Sequence, residues 1–267
     1  MQWLLQDFED TRKLAEALDR HGVPYSWHKV VPYVGDLAPE PEIIDLNDVV
    51  MFGSYALWRY AERRRLSPGV FTIRPFVHEA PWRSHVLNGP GAVFLMLQEI
   101  PLRLPDDGRT WFVRPVADSK ELAGAVMTAR ELIDTAGRVV ALDEAEIPEG
   151  SLRHDTMLML APPAIIRKEW RVWIVDDAVV AYSLYKEGAR VVYRQEIDDD
   201  ALAFAKRMAR LNPAYAPAYV MDICRTDAGL RLLETNCINA AGFYAADLNK
   251  LVVAIESLDP GGLQRSS

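Results

Sequence analysis

Residues Tyr219 to Asn239 read YVMDICRTDAGLRLLETNCIN. Two runs rich in apolar residues, YVMDIC and LRLLETN, flank RTDAG, in which Gly229 can take the positive φ that a tight turn needs. The pattern predicts a β-hairpin. Glu234 and Asn236 are two positions apart and therefore share a strand face, and a hairpin register sets Asp222 across from them. Three oxygen donors then converge. Such a set suits Mg²⁺, which keeps several waters and takes its other ligands from a few carboxylates and from nucleotide phosphates. The competing reading is that acidic residues on a hairpin are simply solvated.

The chain has 267 residues, of which 50% are hydrophobic and 25% charged, enough for two or three compact lobes. A formal net charge of -8 argues against a general nucleic-acid or membrane-surface binder, because phosphate-rich partners meet a repulsive mean field. Cys224 and Cys237 make neither a C-x-x-C pair nor a disulfide framework and are expected to be buried. The N-terminus lacks a secretory pattern, and no stretch approaches the ~18 apolar residues of a membrane span. A cytoplasmic protein is expected. The five histidines lack the spacing of a helical zinc pair, and G-x-x-x-x-G-K-[ST], G-x-G-x-x-G and G-x-S-x-G are all absent.

The opening MQWLLQDFEDTRKLAEALDRHGVPYSWHKVV reads as strand, helix, strand, with Gly22 ending the helix. DVVMFGSYALWRYAERRR repeats the theme: a buried strand at Val49 to Phe52, a turn at Gly53-Ser54, and a helix from Ala56 to Arg65. Strand and helix alternating in this way predict a small open α/β lobe over residues 1–100. Ligands in such lobes sit beyond the carboxyl ends of strands, which makes Gly53 and Ser54 substrate candidates, although Ser54 is more simply read as a helix N-cap. PDDG at residues 105–108 is a turn signal, and a second lobe is expected over 101–160 and a third over 161–267. In the third, Asp176-Asp177 splits a long β-rich block into a hairpin, and Asp198 to Leu211 is an amphipathic helix.

Several cationic and acidic residues stand at strand ends. Arg114 closes the apolar strand TWFVRP and Lys120 follows a short loop later, so both can reach one anion. Glu169 and Arg171 in RKEWRVWIVDD are two apart and share a face, either toward solvent or toward a cleft. Tyr185, Lys186 and Arg190 follow on the return strand as weaker candidates.

The order D, hairpin, E-x-N, followed by INAAGFY, resembles the metal-binding end of the ATP-grasp superfamily, and RKEWRVWIVDD resembles its E-x-R-v-x-v-v-d-g strand. Arg114-Pro115 stands where many members have a K-P pair, and with Asp118-Ser119-Lys120 after it the chain resembles the arginine-and-lysine clade. The resemblance implies an α/β (α+β) ATP-grasp fold, with two α+β lobes gripping ATP after a small open α/β lobe. It implies Mg²⁺ on Asp222, Glu234 and Asn236, phosphates on Arg114 and Lys120, and Arg171 and Lys120 as catalytic groups. Glu169 and Arg190 would also serve the nucleotide, and Met159 and Leu160 in MLMLAPP would form the adenine slot of an inter-lobe linker, a segment otherwise read as a plain core strand.

The implied reaction is ATP- and Mg²⁺-dependent joining of a carboxylate to an amine through an acyl phosphate, with small-molecule or peptide acids and amines as partners and neither nucleic acid nor membrane. A phosphotransferase or a non-catalytic nucleotide-binding module on the same fold is the alternative, and an interaction protein that binds no nucleotide is a third. Trp82 and Arg83, in the PFVHEAPWRSH stretch, are candidates for choosing the substrate.

Overall fold

The structure is a computed structural model that describes residues 1–32, 34–89, 91–117, 121–148 and 150–258. It divides into two compact units, Met1–Arg74 with Arg167–Ser267, and Pro75–Ile166.

The first unit opens with β1 (Gln2–Gln6), α1 (Glu9–His21), β2 (Tyr25–Val30), β3 (Leu37–Ala38), β4 (Val49–Phe52), α2 (Ala56–Arg64) and β5 (Pro68–Gly69). The strands form a sheet of order β3-β2-β1-β4-β5, in which β1 runs parallel to β2 and β4. Helix α1 buries Leu14, Ala15, Ala17 and Leu18 and ends at Gly22, whose φ of 65° is the left-handed stop expected of that glycine. Trp3, Leu5 and Phe52 from this sheet share one core with Trp173, Val175, Phe243, Leu251 and Ile255 from the far end of the chain. The N-terminal lobe therefore has no core of its own.

The second unit holds β6 (Val93–Met96), α3 (Ile100–Arg103), β7 (Thr110–Pro115), β8 (Ala125–Thr128), α4 (Ala129–Val140) and β9 (Met157–Ala161). Its antiparallel sheet has order β6-β9-β7-β8. Helix α4 is closed by a capping box, in which Thr128 accepts from the Glu131 backbone and Glu131 from the Thr128 backbone. The unit boundaries differ from those expected at 100 and 160. Val93–Met96 pairs with Met157–Leu160, so that segment belongs to this sheet and not to the N-terminal lobe.

The chain then returns to the first unit with β10 (Ile166–Val175), β11 (Ala178–Glu187), β12 (Arg190–Arg194), α5 (Asp199–Leu211), β13 (Ala218–Thr226), β14 (Gly229–Asn236) and α6 (Leu248–Glu256). These strands form a sheet of order β12-β11-β10-β13-β14. Asp176 and Asp177 turn β10 into β11 with φ of 49° and 57°, the doubly left-handed turn that suits the twist of a hairpin.

Candidate functional site: a buried arginine–carboxylate cluster

The β13–β14 hairpin turns at Asp227-Ala228, with Gly229 at φ 103°. Asp222 lies directly opposite Glu234, and Val220 opposite Asn236, as the alternation predicted. The register then slips between Asp222 and Ile223, leaving Leu233 as an extra residue. Bulges of this kind re-aim side chains beside functional sites.

On the neighbouring β10, the Arg171 guanidinium closes on the Asp222 carboxylate with Nε to Oδ1 at 2.9 Å and Nη2 to Oδ2 at 2.7 Å. Asp222 is 1% exposed and Arg171 8%. Glu169 is also buried, so the charged face of β10 does not look out to solvent. Burial works against the Arg171 charge, but Asp222 outweighs it and the guanidinium stays protonated. Burial also pushes Asp222 up; Arg171 opposes this, Glu234 adds to it, and the carboxyl settles at about 6.

Asn236 donates from Nδ2 to Glu234 Oε1 at 3.0 Å. Glu169 accepts from the Tyr185 hydroxyl at 2.7 Å and from Lys186 Nζ at 2.9 Å. Consecutive residues of a regular strand point to opposite faces, so both can reach one carboxylate only because the β10–β11 register shifts between Glu169 and Trp170, leaving Tyr185 as the extra residue.

Segments after the hairpin complete the surroundings. Arg171 Nη1 donates to the carbonyl of Gly242 at 3.3 Å. A Cβ at Gly242 would lie 3.4 Å from Asp10 Oδ2 and 3.9 Å from Arg171 Nη1, so a side chain there would crowd both. The Gly53 amide donates to the Asn239 carbonyl at 2.9 Å, tying the carboxyl end of β4 to the end of the hairpin. Ser54 is not an N-cap. Its hydroxyl and its amide both donate to Gln6 Oε1, each at 2.8 Å, while Tyr55 occupies the cap position of α2.

The residues fit a divalent cation. Asp222, Glu234 and Asn236 offer oxygen donors, and one guanidinium stands against two neighbouring carboxylates, leaving the group short of positive charge. Among the described residues no three His, Cys, Asp or Glu side chains gather, and the third donor here is an amide.

In the second unit, Arg114 on β7 pairs in register with Met159 on β9, and its guanidinium carbon lies 5.0 Å from the Phe76 ring centre. Met159 and Leu160 do not act as a pair. Strand alternation sends Leu160 into the core beside α3 and α4 with Leu158, so only Met159 shares the Arg114 face and an adenine slot lined by both side chains is excluded. Trp82 is fully buried. Arg190 stands exposed at the start of edge strand β12, opposite Glu187, and Lys120 lies outside the described residues. Sequence reasoning gave no role to Tyr244, Asn239 or Gln6, whose importance depends on tertiary neighbours.

The family model for the ATP-grasp domain, family 3 of the arginine-and-lysine clade, matches residues 26–255. The chain is an ATP-grasp protein. Its fold agrees with that of solved ATP-grasp ligases. PsnB complexed with minimal precursor aligns at TM-score 0.54 and 16% identity over 96% of this chain and 98% of PsnB. D-alanine–D-alanine ligase from Bacillus anthracis complexed with ATP gives 0.56 and 12% over 96% of each chain. Macrocyclase MdnC bound with precursor peptide MdnA, from Microcystis aeruginosa, gives 0.56 and 12% over 96% of this chain and 100% of MdnC. No curated protein matches the sequence. ATP with Mg²⁺ is the cofactor pair of ATP-grasp ligases. Among the described residues, no helix of this ATP-grasp protein is long and apolar enough to cross a membrane.

Proposed function

We propose that this ATP-grasp protein is an ADP-forming ligase that joins a carboxylate to an amine through an acyl phosphate. The observation that carries the reading is the group formed by Arg171, Asp222, Glu234 and Asn236, oxygen donors and a fixed guanidinium gathered on one sheet. In this reading Asp222, Glu234 and Asn236 hold Mg²⁺. The bound ion would neutralise phosphate charge as a Lewis acid. Arg114 and Lys120 hold phosphate oxygens, and Met159, Glu169 and Arg190 serve the nucleotide.

Arg171 uses Nε and one hydrogen of Nη2 on Asp222, which leaves guanidinium hydrogens for an oxyanion. The substrate carboxylate oxygen attacks the γ-phosphorus, the bond to the β–γ bridging oxygen breaks, and ADP departs. An amine nitrogen then attacks the acyl carbon, phosphate leaves, and the nitrogen loses a proton to give the amide. Catalysis rests on placement and on charge already in position. Small-molecule or peptide acids and amines are the proposed substrates, met at the carboxyl end of β4 near Gly53 and Ser54.

The test is ADP release with Mg²⁺ and ATP across a panel of amino acids and peptides, with product masses recorded for the wild type and Glu234→Gln. ADP, phosphate and a product one water lighter than its acid and amine together support the ligase. A stable phosphorylated acid turns the reading to a phosphotransferase, and ATP turnover unchanged in Glu234→Gln refutes the metal assignment.

A further inference from the structure

The strand ladder and the Asp222 pair fix one edge of the Arg171 guanidinium; its flat face is held by tyrosines. The Tyr244 ring centre lies 4.7 Å from the Arg171 guanidinium carbon and that of Tyr185 5.8 Å. Tyr185 and Tyr244 are stacked with centres 5.2 Å apart, and Tyr193 stacks on Tyr244 at 5.0 Å with planes 11° apart. The ladder is anchored at its inner end by the Tyr185–Glu169 bond and is open at its outer end, where Tyr193 is 58% exposed.

Tyr244 reaches this place through an unusual backbone. Its φ is 50°, a left-handed conformation that a bulky residue adopts only when its surroundings demand it. The demand is visible on both sides. The Gly242 carbonyl is held by Arg171 Nη1, Phe243 is buried in the core against Phe52, and the Ala245 amide donates to the buried Ser183 hydroxyl at 3.3 Å. The left-handed turn lets two consecutive aromatic residues serve different purposes, Phe243 filling the core and Tyr244 covering the arginine.

We infer that Tyr244 is the positioning residue for Arg171, clamping the guanidinium plane in the orientation that meets the reacting phosphoryl group, with Tyr193 as its outer support. The role in the reaction rests on the ligase reading above; the clamp itself does not. Asp222 alone fixes an axis of two hydrogen bonds in the guanidinium plane, and a stacked aromatic removes the remaining freedom to tilt about that axis.

The clamp is read directly by NMR of the ligand-free protein, following the ¹⁵N heteronuclear NOE and hydrogen exchange of the Arg171 Nε–H, assigned by its absence in Arg171→Lys. Tyr244→Asn removes the ring but tolerates the left-handed backbone, and Tyr244→Phe keeps the ring. The expected result is a rigid, slowly exchanging Nε–H in the wild type and in Tyr244→Phe, and at least 10-fold faster exchange in Tyr244→Asn. Should Tyr244→Asn fail to fold, the exposed Tyr193→Ala carries the test, with exchange raised severalfold. Exchange and NOE unchanged in the folded ring-deleted variant overturn the clamp.

With a substrate pair in hand, Tyr244→Asn is expected to lower kcat by roughly 10- to 100-fold with little change in KM for ATP, the pattern of lost alignment, and Tyr244→Phe to restore it. A loosened Nε–H with kcat intact removes the catalytic role. A rigid wild-type Nε–H with no ADP release from any pair leaves the clamp standing and the ligase reading fallen.

Discussion

The Asn239 side-chain amide donates to the Met51 carbonyl at 2.7 Å, across 188 positions of sequence. The same side chain accepts from the Phe71 amide at 2.8 Å and is buried. A residue just past the metal hairpin thus serves the backbone of two segments of the N-terminal lobe.

Asn239→Ala strands a buried carbonyl and a buried amide. It is expected to lower unfolding stability by about 2 to 4 kcal/mol, since each orphaned group costs about 1 to 3. Urea unfolding measures this, and a loss under about 1 kcal/mol would mean that water replaces the lost partner.

Arg171→Met leaves Asp222 buried beside Glu234 without its counter-charge. Removing one member of such a pair costs about 3 to 5 kcal/mol, while replacing both by apolar residues costs far less. The double variant Arg171→Met with Asp222→Leu should therefore be more stable than Arg171→Met alone. Simple additivity in the double-mutant cycle would contradict the coupling.

Mg²⁺ with a nonhydrolysable ATP analogue should raise the thermal midpoint of the wild type by mass action, by the equivalent of about 2.7 kcal/mol at about 100 times Kd. Glu234→Gln should lose most of the Mg²⁺-dependent part, and EDTA should abolish it in the wild type. An equal shift in both proteins would place the ion elsewhere.

Gly53 has no room for a methyl group. A Cβ there would lie 2.4 Å from Leu57 Cδ1 and 2.6 Å from Gln6 Cβ. Gly53→Ala is expected to destabilise the first unit by about 1 to 3 kcal/mol and to displace the Gln6–Ser54 contact. A variant with wild-type urea midpoint would show that Gln6 and Leu57 yield freely.

Cys224 and Cys237 are both buried and free. Neither should react with a thiol reagent in the folded protein, and both should react in denaturing urea. Rapid labelling of the native chain would show that the sheet around the site opens.

The hairpin was legible because its information is local: period-two alternation put Glu234 and Asn236 on one face, and Gly229 marked the turn. The Asp222–Glu234 register followed. What the sequence hid depends on distant partners. The bulges at Leu233 and Tyr185 leave no compositional mark, yet the second decides that Tyr185 and Lys186 both meet Glu169. Val93–Met96 looked like lobe-terminal chain because its strand partner lies more than sixty positions later. Ser54 resembled a cap because serine before a helix commonly is one, and only the fold brings Gln6 to it.

The shared core of the first unit has a consequence for how the chain is made. Trp3 donates to Glu256 at 2.5 Å, and the core around Phe52 is completed by α6. During translation, the earliest strand leaves the ribosome without the helix that will cover it and must wait for nearly the whole polypeptide. Residues 75–166 possess a sheet and core of their own and can settle in the interval. The nascent N-terminal segment is therefore the stretch most exposed to misassociation and the natural client of a holding chaperone, and a stalled or truncated product lacking α6 would never mature.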